Sequence, residues 1–384
     1  MNYMTEIYLD NSATTRQLSL VTEAMAEVFS HSYGNPSSLH KKGIEGEKLL
    51  KESRSIIANT LGKNASCILF NSGGTEGDNN VLQSVARDRK RMGRTIVTTA
   101  VEHPAVLETC DFLQREGFRV IRLPVDEYCR ISLDDLKEAL SEDVILISVM
   151  TVNNEVGTIF PIEDIVKIRD HLSKALVHTD AVQAYGKMDL SNFRGDFLNT
   201  SAHKIHGPKG VGFLYKKEGV KLSPMIFGGN QEGGLRSGTE NLPGIVGFAK
   251  AAELADANRE KNFKAVDILW HRLREGLDEI SDTVFNSPED GLPYILNVSF
   301  LGTRGEVILH DVESKGVYIS TGSACSSNKK SRSHVLKAMG KSKGEIDGAV
   351  RFSLSHLNTE EEIDKALDIV ESSVKRFRKL GSFR

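Results

Sequence analysis

The sequence predicts an α/β fold: a mostly parallel seven-stranded sheet with helices on both faces, joined to a smaller α+β domain. Two observations lead there. Between about residues 40 and 216, short apolar runs alternate with stretches of helical spacing. The apolar runs also show little polar alternation, as strands do when both faces of their sheet are covered. They are Cys67–Phe70, Thr95–Thr99, Phe118–Leu123, Val144–Met150, Leu176–Thr179, Phe197–Asn199 and Val211–Tyr215. Helical spacing fills Gly43–Leu61, where Leu49, Leu50, Ile56, Ile57 and Leu61 recur, and then Asn79–Arg91 and Ala105–Glu116. Such alternation with short connections implies parallel strands wrapped by helices. Ligands of these sheets gather at the carboxyl ends of the strands.

Past residue 240 the texture changes. A long helical stretch, Ile245–Ser281, precedes an apolar strand at Ile295–Phe300, a helix near Glu306–Lys315 and a strand at Val317–Thr321. A last helix opens at Thr359 with Glu362 three residues on, a capping-box pattern. Its stripe Ile363, Leu367, Val370, Val374 and Phe377 has helical period and is expected to pack on the second domain. We therefore expect a large domain over 15–258 and a small one built from 1–14 and 259–384.

Composition removes several functions. In 384 residues, 49 Lys and Arg nearly balance 52 Asp and Glu, for a formal charge of −3. A direct nucleic-acid partner usually shows as a basic excess. No apolar run reaches the roughly 20 residues that cross a bilayer, and the first residues lack the basic and apolar regions of a secretory signal. Cys67, Cys110, Cys129 and Cys325 form neither a disulfide framework nor a Cys-x-x-Cys pair. The expectation is a cytoplasmic globular protein without a metal centre.

Four segments carry chemistry. Asn71-Ser-Gly-Gly-Thr-Glu-Gly77 follows a strand and precedes a helix, so it reads as an anion cradle or as a plain strand-to-helix turn. Asp180, at the end of another strand, suits either a helix cap or the partner of a ring nitrogen, with Gln183 able to donate to a ring oxygen. Ser201-Ala-His-Lys204-Ile-His206 places Lys204 in a tight turn beside other cations, which suits Schiff-base chemistry. A surface lysine and a His203/His206 metal pair are the competing readings. Finally, Cys325 sits in Ser320-Thr-Gly-Ser-Ala-Cys-Ser-Ser327 with Lys329, Lys330 and Arg332 nearby, surroundings that favour an exposed thiolate. The other three cysteines read as small buried or incidental residues.

Together these residues resemble the cysteine desulfurases of the NifS/IscS type, within the class V aminotransferase group of fold-type I pyridoxal-phosphate enzymes. The resemblance runs nearly end to end. It takes in Tyr8–Thr15, Tyr33–Ser37, Glu102-His103, Asn153–Gly157, His178–Gln183, Ser201–Gly210, Gly228–Glu232, Arg236–Thr239, Ser320–Ser327 and Val350–Leu354. Class V aminotransferases share the Ser-Ala-His-Lys segment but lack the Gly-Ser-Ala-Cys loop.

The resemblance implies that Lys204 carries pyridoxal 5'-phosphate, that Asp180 pairs with its ring nitrogen, and that Gln183 meets the ring hydroxyl. It implies that His103 stacks on the ring and assists proton transfer. Gly74, Thr75, Ser201 and His203 would hold the phosphate, and Thr239 would reach the phosphate of a second subunit in a homodimer. Asn154 and Arg351 would bind the carboxylate of L-cysteine. Cys325 would take the substrate sulfur as a persulfide and pass it to an acceptor protein, an iron–sulfur scaffold or a tRNA-thiolation enzyme. Asn230 and Gly234 stand where relatives commonly carry Gly and Arg, and the chain ends at Arg384 without the extended tail some relatives use to dock a scaffold. Two alternatives accompany this reading. One is a class V aminotransferase or selenocysteine lyase that does not need Cys325; the other is a non-catalytic sulfur-relay partner.

Overall fold

The structure is a computed structural model that describes residues 6–322 and 332–381. In the first part of the chain, β1 (Ile7–Tyr8), α1 (Ser19–Ser30) and α2 (Lys41–Thr60) lead into β2 (Ile68–Asn71) and α3 (Gly74–Arg89). Then come β3 (Thr95–Thr99), α4 (Pro104–Arg115), β4 (Arg119–Leu123), α5 (Leu133–Ala139), β5 (Val144–Ser148), α6 (Ile162–Leu172), β6 (Leu176–Asp180), β7 (Phe197–Asn199) and β8 (Gly212–Lys216). Seven of these strands form one sheet in the order β2-β8-β7-β6-β5-β3-β4. Neighbours from β7 through β4 pair in parallel, and β8 pairs antiparallel with both β2 and β7, so β8 alone runs the other way. All seven expected strands are present within a residue or two of their expected bounds.

The missing polar alternation has a direct structural cause. Ile68 and Phe70 lie in one apolar cluster and Leu69 in another, and the same division separates Val97 from Ile96, Val177 from Leu176 and Leu198 from Phe197. Successive side chains of a strand point to opposite faces, and here each face is covered: one by α3 and α4 with Val81, Leu82, Val106 and Cys110, the other by α2 and α6.

The second part of the chain contains α7 (Leu242–Ala257), α8 (Arg259–Asp278), β9 (Thr283–Phe285), β10 (Ile295–Phe300), α9 (Gly305–Glu313), β11 (Val317–Tyr318), α10 (His334–Ala338), α11 (Lys343–Asp347), β12 (Ala349–Ser353) and α12 (Glu360–Lys379). Strands β9, β10 and β12 form an antiparallel sheet with β10 central. The amino-terminal β1 crosses the chain to pair in parallel with β11. The capping box of α12 is present, with the Thr359 hydroxyl and the Glu362 carboxylate each accepting from the other's backbone N–H. Ile363, Val370 and Val374 are fully buried beneath it.

Three expected elements differ. The stretch Ile245–Ser281 is two helices, not one. Asn258 leaves the helical region (φ −114°, ψ 8°) and its side chain donates to the Leu254 carbonyl at 2.9 Å, so a local side-chain bond replaces the backbone ladder. Helix α7 packs on α1 and α2, whereas α8 packs on α12. Helix α3 begins at Gly74 rather than Asn79, because its first turn, Gly74-Thr-Glu-Gly77, contains no apolar residue to reveal it. Strand β11 stops at Tyr318, and Ser320 makes only a lone bridge to Arg351. Among the described residues no helix is long and apolar enough to cross a membrane.

Candidate active site

The parallel strands β2, β3, β5, β6 and β7 all end on one edge of the sheet, and the chemistry-bearing residues follow those ends. After β2 come Ser72, Gly73 and the first residues of α3, Gly74 and Thr75, after β3 His103, after β5 the Met150–Asn154 segment, on β6 itself Asp180, and after β7 Ser201–Lys204. A cleft of about 310 Å³ at this edge is lined by Gly74, Thr75, His103, Asn154, Asp180, Gln183, Ser201, His203, Lys204 and Arg351. Ten of the residues expected from the sequence therefore meet in one place. Thr239 does not: it lines a separate recess with Asn71, Arg236 and Asn241. Cys325 lies outside the described residues, but Gly322, three residues before it, lines the cleft.

The amino-terminal segment, quoted in the resemblance without a role, closes the floor. Lys204 Nζ donates to the carbonyls of Ser12 at 2.6 Å and Ala13 at 2.7 Å. Gln183 Nε2 donates to the same Ser12 carbonyl at 3.0 Å. The Thr14 hydroxyl meets His203 Nδ1 at 3.1 Å, and Thr15 N–H donates to the His203 carbonyl at 2.9 Å. Asp10 accepts from Arg351 Nη2 at 2.8 Å, while Arg351 Nη1 donates to the Asn154 carbonyl. Backbone carbonyls leave no side-chain signature, so only the fold reveals this hub.

At the other end, a recess of about 370 Å³ continues from the cleft around the amino end of α3, sharing Gly74, Thr75, Ser201 and His203 and adding Lys209. Gly73 has φ +137°, which only glycine adopts freely, and a Cβ there would stand 3.3 Å from the Ser201 hydroxyl. Glu76 accepts from Ser72 N–H and pairs with Arg236 at 3.0 Å, tying the loop that carries Thr239 to this helix end. His203 and His206 do not share a site, since His206 lines a different cavity and bonds the Arg16 carbonyl.

Buried titratable groups surround the cleft. Asp180 is 8% exposed and accepts from Val182 N–H. Burial raises its pKa, opposed by His103, the Val182 amide and Lys204. Asp78 lies deeper and its pKa is pushed well up by burial and by Asp180. It stands 3.5 Å from His178, whose pKa burial lowers to about 3. Burial thus raises both adjacent carboxyls, Asp78 the more strongly, and of the two it is Asp180 whose shift is opposed by the neighbouring cations His103 and Lys204. His103 caps α4, its Nδ1 accepting from Ala105 N–H at 3.1 Å, so a neutral His103 carries its proton on Nε2. Burial lowers its pKa.

Glu102, beside it, is fully buried, accepts from Thr99 and Met150, and is pushed up to about 8, chiefly by burial. A carboxyl whose folded pKa exceeds its unfolded value contributes stability below the unfolded pKa and loses it as pH rises through the folded one. Between pH 4.5 and 8 the wild-type protein should therefore lose stability relative to Glu102→Gln by roughly a kcal/mol per pH unit. Urea midpoints of both proteins across that range measure it, and an opposite slope would refute the buried, protonated Glu102.

The donor set fits pyridoxal phosphate. A helix amino end with Thr75, Ser201 and His203 suits a phosphate, and an amine at Lys204 suits an aldehyde. A buried carboxyl at Asp180 suits a ring nitrogen, and Asp78, whose Oδ2 is buried without a partner among the described residues, also lines the cleft.

Comparison with known proteins agrees with this geometry. The family profile described as Aminotransferase class-V matches residues 7–366. The cysteine desulfurase IscS of Methanosarcina thermophila is 43% identical over 378 residues, covering 98% of this chain and 93% of its own. That of Clostridium botulinum is 42% identical over 382 residues, covering 98% and 96%. A solved NifS-like protein superposes with a TM-score of 0.92 at 41% identity, over 97% of this chain and all of its own. Members of these families depend on pyridoxal phosphate. The chain belongs to the class V aminotransferase family, and within it to the cysteine desulfurases of the NifS/IscS type.

Proposed function

We propose that the protein converts L-cysteine to L-alanine, leaves the sulfur as a persulfide on Cys325, and passes it to an acceptor protein for iron–sulfur cluster assembly or tRNA thiolation. The observation that carries this is Lys204 at the floor of a cleft that also holds Asp180, Gln183, His103 and Arg351 and whose wall includes Gly322, just before the cysteine loop. Bound there, pyridoxal phosphate supplies an electron sink for negative charge at the substrate Cα.

The protein's own groups do the rest. Gly74, Thr75, Ser201 and His203 would hold the phosphate, Asp180 would pair with the ring nitrogen, and His103 would face the ring. Arg351 Nε, buried without a partner among the described residues, remains as a donor for the substrate carboxylate, with Asn154 beside it. Lys204 Nζ accepts the Cα proton, and the Ser12 and Ala13 carbonyls stabilise the ammonium that results. His103 holds a proton at Nε2 for transfer within the cleft. The Cys325 thiolate attacks the substrate sulfur: the Cβ–S bond breaks, an S–S bond forms, Cβ is reduced and protonated, and alanine leaves. The enzyme keeps the transferred sulfur in the sulfane state.

A homodimer is part of the proposal. Thr239 lies outside the cleft of its own chain, and exposed Phe29, Tyr33, Leu39, Ile44 and Phe227 offer a second copy apolar surface to cover. Free thiols at Cys67, Cys110 and Cys129 suit a reducing, cytoplasmic compartment.

The decisive experiment incubates the yellow holoprotein with L-cysteine. Alanine and sulfide should appear in equal amounts with a thiol reductant, and without it Cys325 should gain the mass of one sulfur atom. Formation of alanine without that mass gain would defeat the proposal. Asp180→Asn should lower kcat by roughly 10²–10³-fold, the size expected when one preorganised charge is removed. It should also shift the cofactor absorbance, and an unchanged kcat would remove Asp180 from its assigned role.

A further inference from the structure

Lys187 lines a second cavity of about 460 Å³, which shares Lys204 with the cofactor cleft, and its ammonium reaches Gln183 in the lining of that cleft. The turn that puts it there requires Gly186, at φ +74°, where a Cβ would come within 2.8 Å of Ile205. Lys187 is 8% exposed, and its ammonium lies 5.4 Å over the Tyr294 ring. The residues lining the second cavity include Lys204, Lys261, His206 and His356 but no carboxylate. Burial, with Lys204 and Arg351 nearby, lowers the Lys187 pKa to about 7. A buried lysine among cations is costly, and such groups concentrate at functional sites.

What Lys187 does touch is Gln183. Its Nζ donates to Gln183 Oε1 at 3.1 Å, while Gln183 Nε2 donates to the Ser12 carbonyl on the other side. A glutamine amide can point either end into a site, whereas an ammonium only donates. With Oε1 held by the Lys187 ammonium and the Ser12 carbonyl able only to accept, the NH₂ end faces Ser12 and the cleft. One of its two hydrogens goes to Ser12, and the other remains for a ligand.

We infer that Lys187 is a positioning residue: by occupying Gln183 Oε1 it fixes the amide so that Nε2 donates to a ring oxygen of the cofactor. This rests on the reading that the cleft holds pyridoxal phosphate. The test uses holoprotein without substrate and reads the cofactor absorbance and its dissociation constant. Lys187→Met should shift the absorbance and weaken retention roughly three- to tenfold, about one hydrogen bond. In a Gln183→Ala background the same substitution should change neither, because the pathway through Gln183 is already gone. Effects that simply add, or a lowered thermal midpoint with an unchanged spectrum, would overturn the inference. Should Lys187→Met not fold, Lys187→Gln serves, since its amide permits both orientations of Gln183 and should give the same shift in smaller measure. A wild-type protein that takes up no cofactor would instead refute the reading of the cleft.

Discussion

Cys325→Ala should end persulfide formation and lower L-cysteine turnover about a thousandfold or more, the scale of losing one member of a nucleophilic unit. The structure shows why no other thiol can substitute. Cys67, Cys110 and Cys129 are all buried. Burial pushes the Cys110 thiol up to about 12 and the Cys129 thiol higher still, so neither supplies thiolate at neutral pH. Cys67 immediately precedes β2, at the end of the strand away from the cleft. Cys325, by contrast, follows cleft-lining Gly322 by three residues, a tether of at most about 11 Å. Cofactor absorbance should be unchanged in Cys325→Ala, which separates loss of the nucleophile from loss of the site. Retention of full alanine formation would move the protein to a lyase of the selenocysteine-lyase kind, which does not need this cysteine.

Lys204→Ala should reduce turnover by at least 10²–10⁴-fold, roughly the contribution of a positioned proton-transfer group, and should let the cofactor escape on dialysis. Among its contacts are two backbone carbonyls, Ser12 at 2.6 Å and Ala13 at 2.7 Å, which help to set the position of the amine. Lys204→Arg should not rescue it, because a guanidinium remains protonated and cannot accept the Cα proton. Weak, reversible binding should persist through Thr75, Ser201, His203 and Asp180. Absorbance before and after dialysis, with turnover measured in excess cofactor, checks both parts. Full activity in Lys204→Ala would exclude it as the proton acceptor.

Much of this was legible before the fold was known. The seven strands of the main sheet could be read because buried strands are continuous apolar runs, and the capping box at Thr359 because caps need particular residues at fixed spacing. The break at Asn258 was not legible: helical periodicity continues on both sides of it, and a single asparagine turns the chain. Of the expected site residues, ten share one cleft, while Thr239 sits in a neighbouring recess. Asp10, Ser12, Ala13, Asp78 and Lys187 went unassigned. Two of them act here through backbone carbonyls, and the charged side chains among them acquire meaning only from what lies across the fold.

The amino-acid sequence by itself determined the α/β class and the family, and it singled out Lys204 and Cys325 as the candidates for covalent chemistry. Those depend on local periodicity and residue type, which are written along the chain. Only the tertiary structure decided the strand order that gathers the ends of β2, β3, β5, β6 and β7 on one edge. It alone paired Asp10 with Arg351, 341 positions apart, and aimed the Gln183 amide between Ser12 and Lys187. Contacts of that kind depend on chain topology and on backbone groups that every residue shares, so no local pattern announces them.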